Sequence, residues 1–197
     1  MISRIQLLIV LNLLYIIPST YIFLQRSNIE FLAYLAIVLL LGVLFIRFLQ
    51  KEYLQLHELY LLSFWGLLHI MGGLLIFSNG SNLYSQIIID IVNNGGGYVM
   101  LKMDQVIHMY GFGLVAYIMT RLLKEKTQHT QTSALFIGIF AVMISIGFGA
   151  LNEVVEFMVV LLVEFNGVGD LYNMGLDLIF NLVGAMIGAG IQYLRLK

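Results

Sequence analysis

Three short spacings and one isolated histidine place ionisable side chains where an apolar chain should have none. Asp104 and His108, in Met103-Asp104-Gln105-Val106-Ile107-His108, stand at i, i+4 and share one helix face. Glu153 and Glu156, in Asn152-Glu153-Val154-Val155-Glu156-Phe157, stand at i, i+3 and do the same. Asn173, Asp177 and Asn181 recur at i, i+4, i+8, just after Asp170 in Gly167-Val168-Gly169-Asp170-Leu171-Tyr172-Asn173. His69 stands alone in Leu67-Leu68-His69-Ile70-Met71-Gly72-Gly73. His108 with a carboxylate could act as general acid and base. Asp104, His108, Glu153, Glu156 and Asp177 could instead hold a hard or borderline divalent cation, which suits carboxylate and imidazole ligands. Two acids one turn apart in low dielectric repel unless a proton, a cation or a basic side chain separates them. Blander readings stand beside these. Asp104 and Asn173 could only cap helices, the acid pair could lie in water beyond a helix end near Leu151, and His69 could be a satisfied structural residue. No His-Glu-x-x-His, Glu-x-x-His or serine-nucleophile motif narrows the choice.

The elements that position these residues are membrane helices. Hydrophobic residues make up 60% of the 197 and charged residues 11%. Mean hydropathy is +0.95. Soluble domains carry about 25% charged residues, so polar surface is too scarce here for a water-soluble globule. A spanning helix needs about 20 mostly apolar residues. Residues 5–24, 31–49, 59–77, 106–123, 134–163 and 176–194 meet that need. The expectation is an all-α polytopic membrane protein of about six helices in a single integral membrane domain. The first segment resembles a signal peptide at its start, but its apolar run is long and no small-residue cleavage pattern follows, so it reads as a retained helix. Residues 78–103 form the one long connection. Within it, 87–92 is apolar but too short to span, and suits an interfacial or re-entrant piece, or a surface loop. A net charge of -1 without a basic tract argues against nucleic acid, and no cysteine is present for disulfides, zinc fingers or thiol nucleophiles.

Orientation follows from the basic residues. With the N-terminus cytoplasmic, Arg4, Arg47, Lys51, Arg121, Lys124, Lys126, Arg195 and Lys197 lie inside, and only Arg26 and Lys102 lie outside. Both termini are then cytoplasmic in the cell membrane. Asp104, His108, Glu153, Glu156, Asp170, Asn173, Asp177 and Asn181 all fall toward the non-cytoplasmic face, with His69 halfway through the third helix. Glu30, Glu52, Glu58 and Glu125, and likewise His57 and His129, fall in expected loops and need no role. Gly184, Gly188 and Gly190 with Ala185 and Ala189 form a small-residue face suited to close helix packing.

These residues carry a resemblance to the inner-membrane family typified by YjdF. It rests on His69-Ile70-Met71-Gly72-Gly73, on Asp104-Gln105-Val106-Ile107-His108-Met109-Tyr110-Gly111-Phe112-Gly113, and on Asn152-Glu153-Val154-Val155-Glu156-Phe157. It continues through Asp170, Asn173, Asp177 and Gly184-Ala185, so it spans roughly residues 60 to 190. A looser likeness reaches the VanZ-like membrane proteins, which are linked with resistance to an envelope-directed glycopeptide. The resemblance implies a membrane fold and no assigned activity. In the YjdF-like pattern the glycine after the helix-three histidine is followed by His-Tyr-Thr-Tyr, where this chain has Leu74-Leu75-Ile76-Phe77. Asn173 stands where a second acid is common.

Three functions fit. The first is an enzyme acting on a lipid-linked or envelope substrate. The second is a protein that binds or transports a cation, a proton or an amine headgroup. The third is an accessory membrane protein whose buried polar groups tie helices together. An inverted-repeat transporter should show matching halves, and this chain shows none. Membrane lipid is the expected partner. Oligomeric state is left open.

Overall fold

A computed structural model describes residues 3–28, 31–32, 35–36, 39, 43, 54–90, 101–162, 169 and 171–195. Most of the expected second helix, 31–49, lies outside the described residues, as do 91–100 and Asp170. Among the described residues there are five helices: α1 (Arg4–Gln25), α2 (Leu56–Leu74), α3 (Met103–Lys126), α4 (Ala134–Leu162) and α5 (Leu171–Arg195). A two-stranded antiparallel hairpin, β1 (Ile87–Ile89) and β2 (Leu101–Lys102), precedes α3. Among the described residues four helices, α1, α3, α4 and α5, are long and apolar enough to cross a membrane. The chain forms two compact units, one from the residues up to Gln86 and one built mainly from Ile87 onward.

In the first unit, Ser3 opens α1 through a capping box with Gln6. Helix α2 begins three residues before its expected start. Gln55 is its N-cap and the Glu58 carboxylate accepts the Gln55 N–H at 2.8 Å. Glu58 is therefore no loop residue: it is a fully buried group in the first turn. His57 likewise lies in that helix. The aromatic rings of Phe23 and Phe31 stack with centroids 5.2 Å apart, and Phe31 stacks on Tyr84 at 5.9 Å.

In the second unit large apolar side chains lie outside as well as inside, and the interior is unusually polar. The interior holds Gln105, His108, Ser145, Glu153, Glu156, Asn173, Asp177 and Asn181. The outside of α4 presents Leu135, Phe136, Ile139, Phe140 and Met143. Lipid tails are as apolar as leucine, so burying large side chains gains little there, and polar and small residues share the interior with Ile107, Phe112 and Leu176. Helices α3 and α5 meet most closely through glycine. A Cβ on Gly184 would collide with the Met109 carbonyl, and one on Gly188 with the Gly113 carbonyl. The Ser145 hydroxyl of α4 donates to the Phe112 carbonyl of α3 at 2.6 Å.

Two expectations are corrected here. The purely helical reading missed the hairpin. In this β-branched run Ile87 pairs with Lys102 and Ile89 with Leu101. Glu125 is also not in a loop, because α3 runs on to Lys126 and Arg121 reaches it one turn later at 2.8 Å.

Candidate functional site

The glycine contact explains how the polar residues meet. On α5 the buried positions Asn173, Asp177, Asn181, Gly184, Gly188 and Gln192 form one stripe. Gly184 and Gly188 draw the α5 backbone onto α3, so the short side chains one or two turns earlier on the stripe reach across. The Gln105 amide donates to Asp177 Oδ1 at 2.7 Å and to Asn173 Oδ1 at 3.3 Å. Asn173 Nδ2 donates to Asp177 Oδ2 at 2.8 Å and to Asp104 Oδ2 at 3.2 Å. Lys102 Nζ closes this side by donating to Asn173 Oδ1 at 2.9 Å.

His108 is the centre of the cluster and is 1% exposed. Its Nδ1 lies 3.2 Å from Asn181 Oδ1, in hydrogen-bonding geometry, and 3.4 Å from Glu153 Oε1. Its Nε2 lies 3.6 Å from Asp104 Oδ1 and 3.9 Å from Glu156 Oε1. Three helices thus bring four carboxylates and one imidazole together. Two subsets can each present one ligand atom per residue within 4.8 Å of the others: Asp104, His108 and Asp177, and His108, Glu153 and Glu156.

The two subsets differ in how well their charge is met. Both Asp177 oxygens accept amide hydrogen bonds, and Asp104 accepts one from Asn173. Glu156 accepts one from Asn152 Nδ2 at 2.8 Å. Glu153 is 6% exposed, and neither of its oxygens accepts a hydrogen bond. A buried carboxylate in that state is costly unless a proton or a cation neutralises it.

The sequence candidates sort accordingly. Asp104, His108, Glu153, Glu156, Asn173, Asp177 and Asn181 come together. Asp104 is no mere cap, since Lys102 holds the N-cap position and the Gln105 side chain accepts the Lys102 N–H at 2.7 Å. Asn173 is inside α5, which starts at Leu171, and so is not a cap either. The acid pair is not beyond a helix end, because α4 continues to Leu162. His69 belongs to the first unit, where Nδ1 shares a hydrogen bond with the Tyr84 hydroxyl and the ring stacks on Trp65 at 5.4 Å. Asp170 lies outside the described residues. Sequence reasoning gave no role to Gln105 or Asn152. The available signal was spacing: Gln105 precedes His108 by three and Asn152 precedes Glu156 by four, so each shares a face with a residue already singled out.

Asp104→Asn separates a structural carboxylate from a working one. Lys102 and Gln105 still open the helix, so the metal-free melting temperature is expected to stay close to wild type. Stabilisation by added divalent cation is expected to shrink. A large metal-free drop would make Asp104 a structural residue.

A family model described as "Predicted membrane protein (DUF2238)" matches residues 5–197. No curated protein and no solved structure matches the chain.

Proposed function

The chain belongs to this DUF2238 family of predicted membrane proteins, the family of the YjdF resemblance, and from that footing we propose a divalent-cation-dependent enzyme of the membrane. In this reading one membrane domain of about six spans has both termini in the cytoplasm. The acid–histidine cluster faces the other side, binds the cation and acts on a lipid-linked or envelope substrate. The observation that carries the reading is Glu153, buried with neither oxygen accepting a well-formed hydrogen bond and 3.4 Å from the imidazole of His108. Glu156 and Asp104 supply further oxygens on the other ring nitrogen. A bound divalent cation supplies Lewis acidity and an acidified water. Whichever of these groups does not ligate the cation then holds and passes the proton at the reacting oxygen.

A second reading draws on Lys102. An ammonium already sits among these acids, donating to Asn173 at the edge of the cluster. That favours binding of a cation or an amine headgroup without turnover. Proteoliposomes carrying envelope lipid extract separate the two. Release of a water-soluble headgroup that stops with chelator and in Glu153→Gln supports the enzyme. Retained metal with no product supports the binder.

Orientation has its own check. A reporter fused after Lys197 is expected to read as cytoplasmic and one inserted near Asn94 as external. A reversed result at either place would move the cluster to the other face or change the number of spans.

A further inference from the structure

The two ring nitrogens of His108 have different surroundings, and the difference assigns them different work. Asn181 turns its amide oxygen to Nδ1 at 3.2 Å. An amide oxygen only accepts, so Nδ1 must carry the proton. Glu153 Oε1 is near the same nitrogen at 3.4 Å but accepts no hydrogen bond from it, so the proton is committed to Asn181. In the neutral ring Nε2 then bears the lone pair. That nitrogen faces Asp104 Oδ1 and Glu156 Oε1 at 3.6 and 3.9 Å, one carboxylate from each side of the cluster.

Asn181 bears a cost for this arrangement. It is fully buried, and its Nδ2 makes no well-formed hydrogen bond, the Glu153 carboxylate being its favourable neighbour. A residue kept for packing alone would be expected to satisfy both ends of its amide. Gly149 on α4 leaves room for that amide, since a Cβ there would stand 2.8 Å from Nδ2.

We propose that Asn181 is a positioning residue that holds His108 as the Nδ1–H tautomer and so makes Nε2 the working nitrogen of the cluster. Metal-ligating histidines generally have their second nitrogen held in this way, and loss of the holder costs about 10–100-fold in metal affinity. The inference builds on the cation reading, but its first readout does not depend on it.

The test is the 15N spectrum of the imidazoles in purified, metal-free protein at mildly alkaline pH, with His108 assigned by its loss in His108→Gln. A protonated Nδ1 with an unprotonated Nε2 is expected. Adding zinc should move the Nε2 resonance. Asn181→Leu should mix the tautomers and weaken zinc binding by about 10–100-fold. Asn181→Asp keeps an acceptor in place and should restore both. Gly149→Ala, which displaces the amide without changing a polar group, should act like a milder Asn181→Leu. An Nε2–H or doubly protonated ring in the wild type would overturn the proposal, even if no variant folds. So would an Asn181→Leu protein with wild-type tautomer and affinity. A correct tautomer with no response to zinc would support the role of Asn181 and sink the cation reading instead.

Discussion

Divalent cation should raise the melting temperature of the purified protein, and Glu153→Gln or Glu156→Gln should erase the gain. A ligand that binds only the native state stabilises it by RT ln(1 + [L]/Kd), about 2.7 kcal/mol at a hundredfold excess over Kd. For a chain of this size that corresponds to a rise of roughly 5–10 °C. The sign of the metal-free effect is the discriminating part. Glu153 is a buried acid that accepts no hydrogen bond, with a second buried acid one turn away. Replacing it with glutamine removes a buried charge that accepts no well-formed hydrogen bond in the metal-free protein. Metal-free Glu153→Gln should therefore melt at or above wild type while losing the response to metal. Glu156→Gln should gain less, because Glu156 already accepts from Asn152. A wild-type protein that melts at the same temperature in cation and in chelator would sink the cation reading. A shared proton or a bound headgroup would then account for the pair.

Gly188→Ala should be far more damaging than its chemistry suggests. A methyl there would be driven into the Gly113 carbonyl, with the Gly113 Cα 3.0 Å away. Both partners are helix backbone, so no flexible side chain can give way. Forcing α3 and α5 apart should cost about 3 kcal/mol or more, the upper end for overpacking. It should also abolish the metal response, because Gln105 and His108 on α3 would lose register with Asp177 and Asn181 on α5. Gly190→Ala is the control on the same helix. A Cβ there meets nothing within 4 Å, and alanine favours the helix by about 0.5–1 kcal/mol. Equal melting of the two variants would remove the close contact from the account of how the cluster forms.

Much of the site follows from local geometry that sequence spacing reveals. The α-helix repeats every 3.6 residues whatever surrounds it. Asp104 with His108, Glu153 with Glu156, and Asn173 with Asp177 and Asn181 were therefore legible as three same-face groups. The scarcity of charge made each of them conspicuous. Helix ends were less legible, because they depend on capping groups: α2 starts at Leu56 through Gln55 and Glu58, and α5 starts at Leu171, before its apolar run. The pairing of Ile87–Ile89 with Leu101–Lys102 joins residues separated along the chain, which no local pattern of Ile87–Ile89 can specify.

Tertiary structure decided how the three groups share their charge. Spacing treats Asp177 and Glu153 alike, as carboxylates in apolar helices. Asn173 reaches Asp177 from one turn away on α5 itself, but only the approach of α5 to α3 adds the amide of Gln105. Glu153, reaching inward from α4, has the His108 ring and the Asn152 and Asn181 amides as neighbours but accepts a well-formed hydrogen bond from none of them. The same approach makes Asn181 the partner of His108 and raises Gln105 from a motif neighbour to a buried hub. Hydrogen bonds form mostly at about 2.7–3.2 Å, and whether side chains on different helices come that close depends on the packing between them. Here the packing is set by Gly184 and Gly188, one and two turns along the stripe from Asn181, where the absence of a side chain lets two backbones meet.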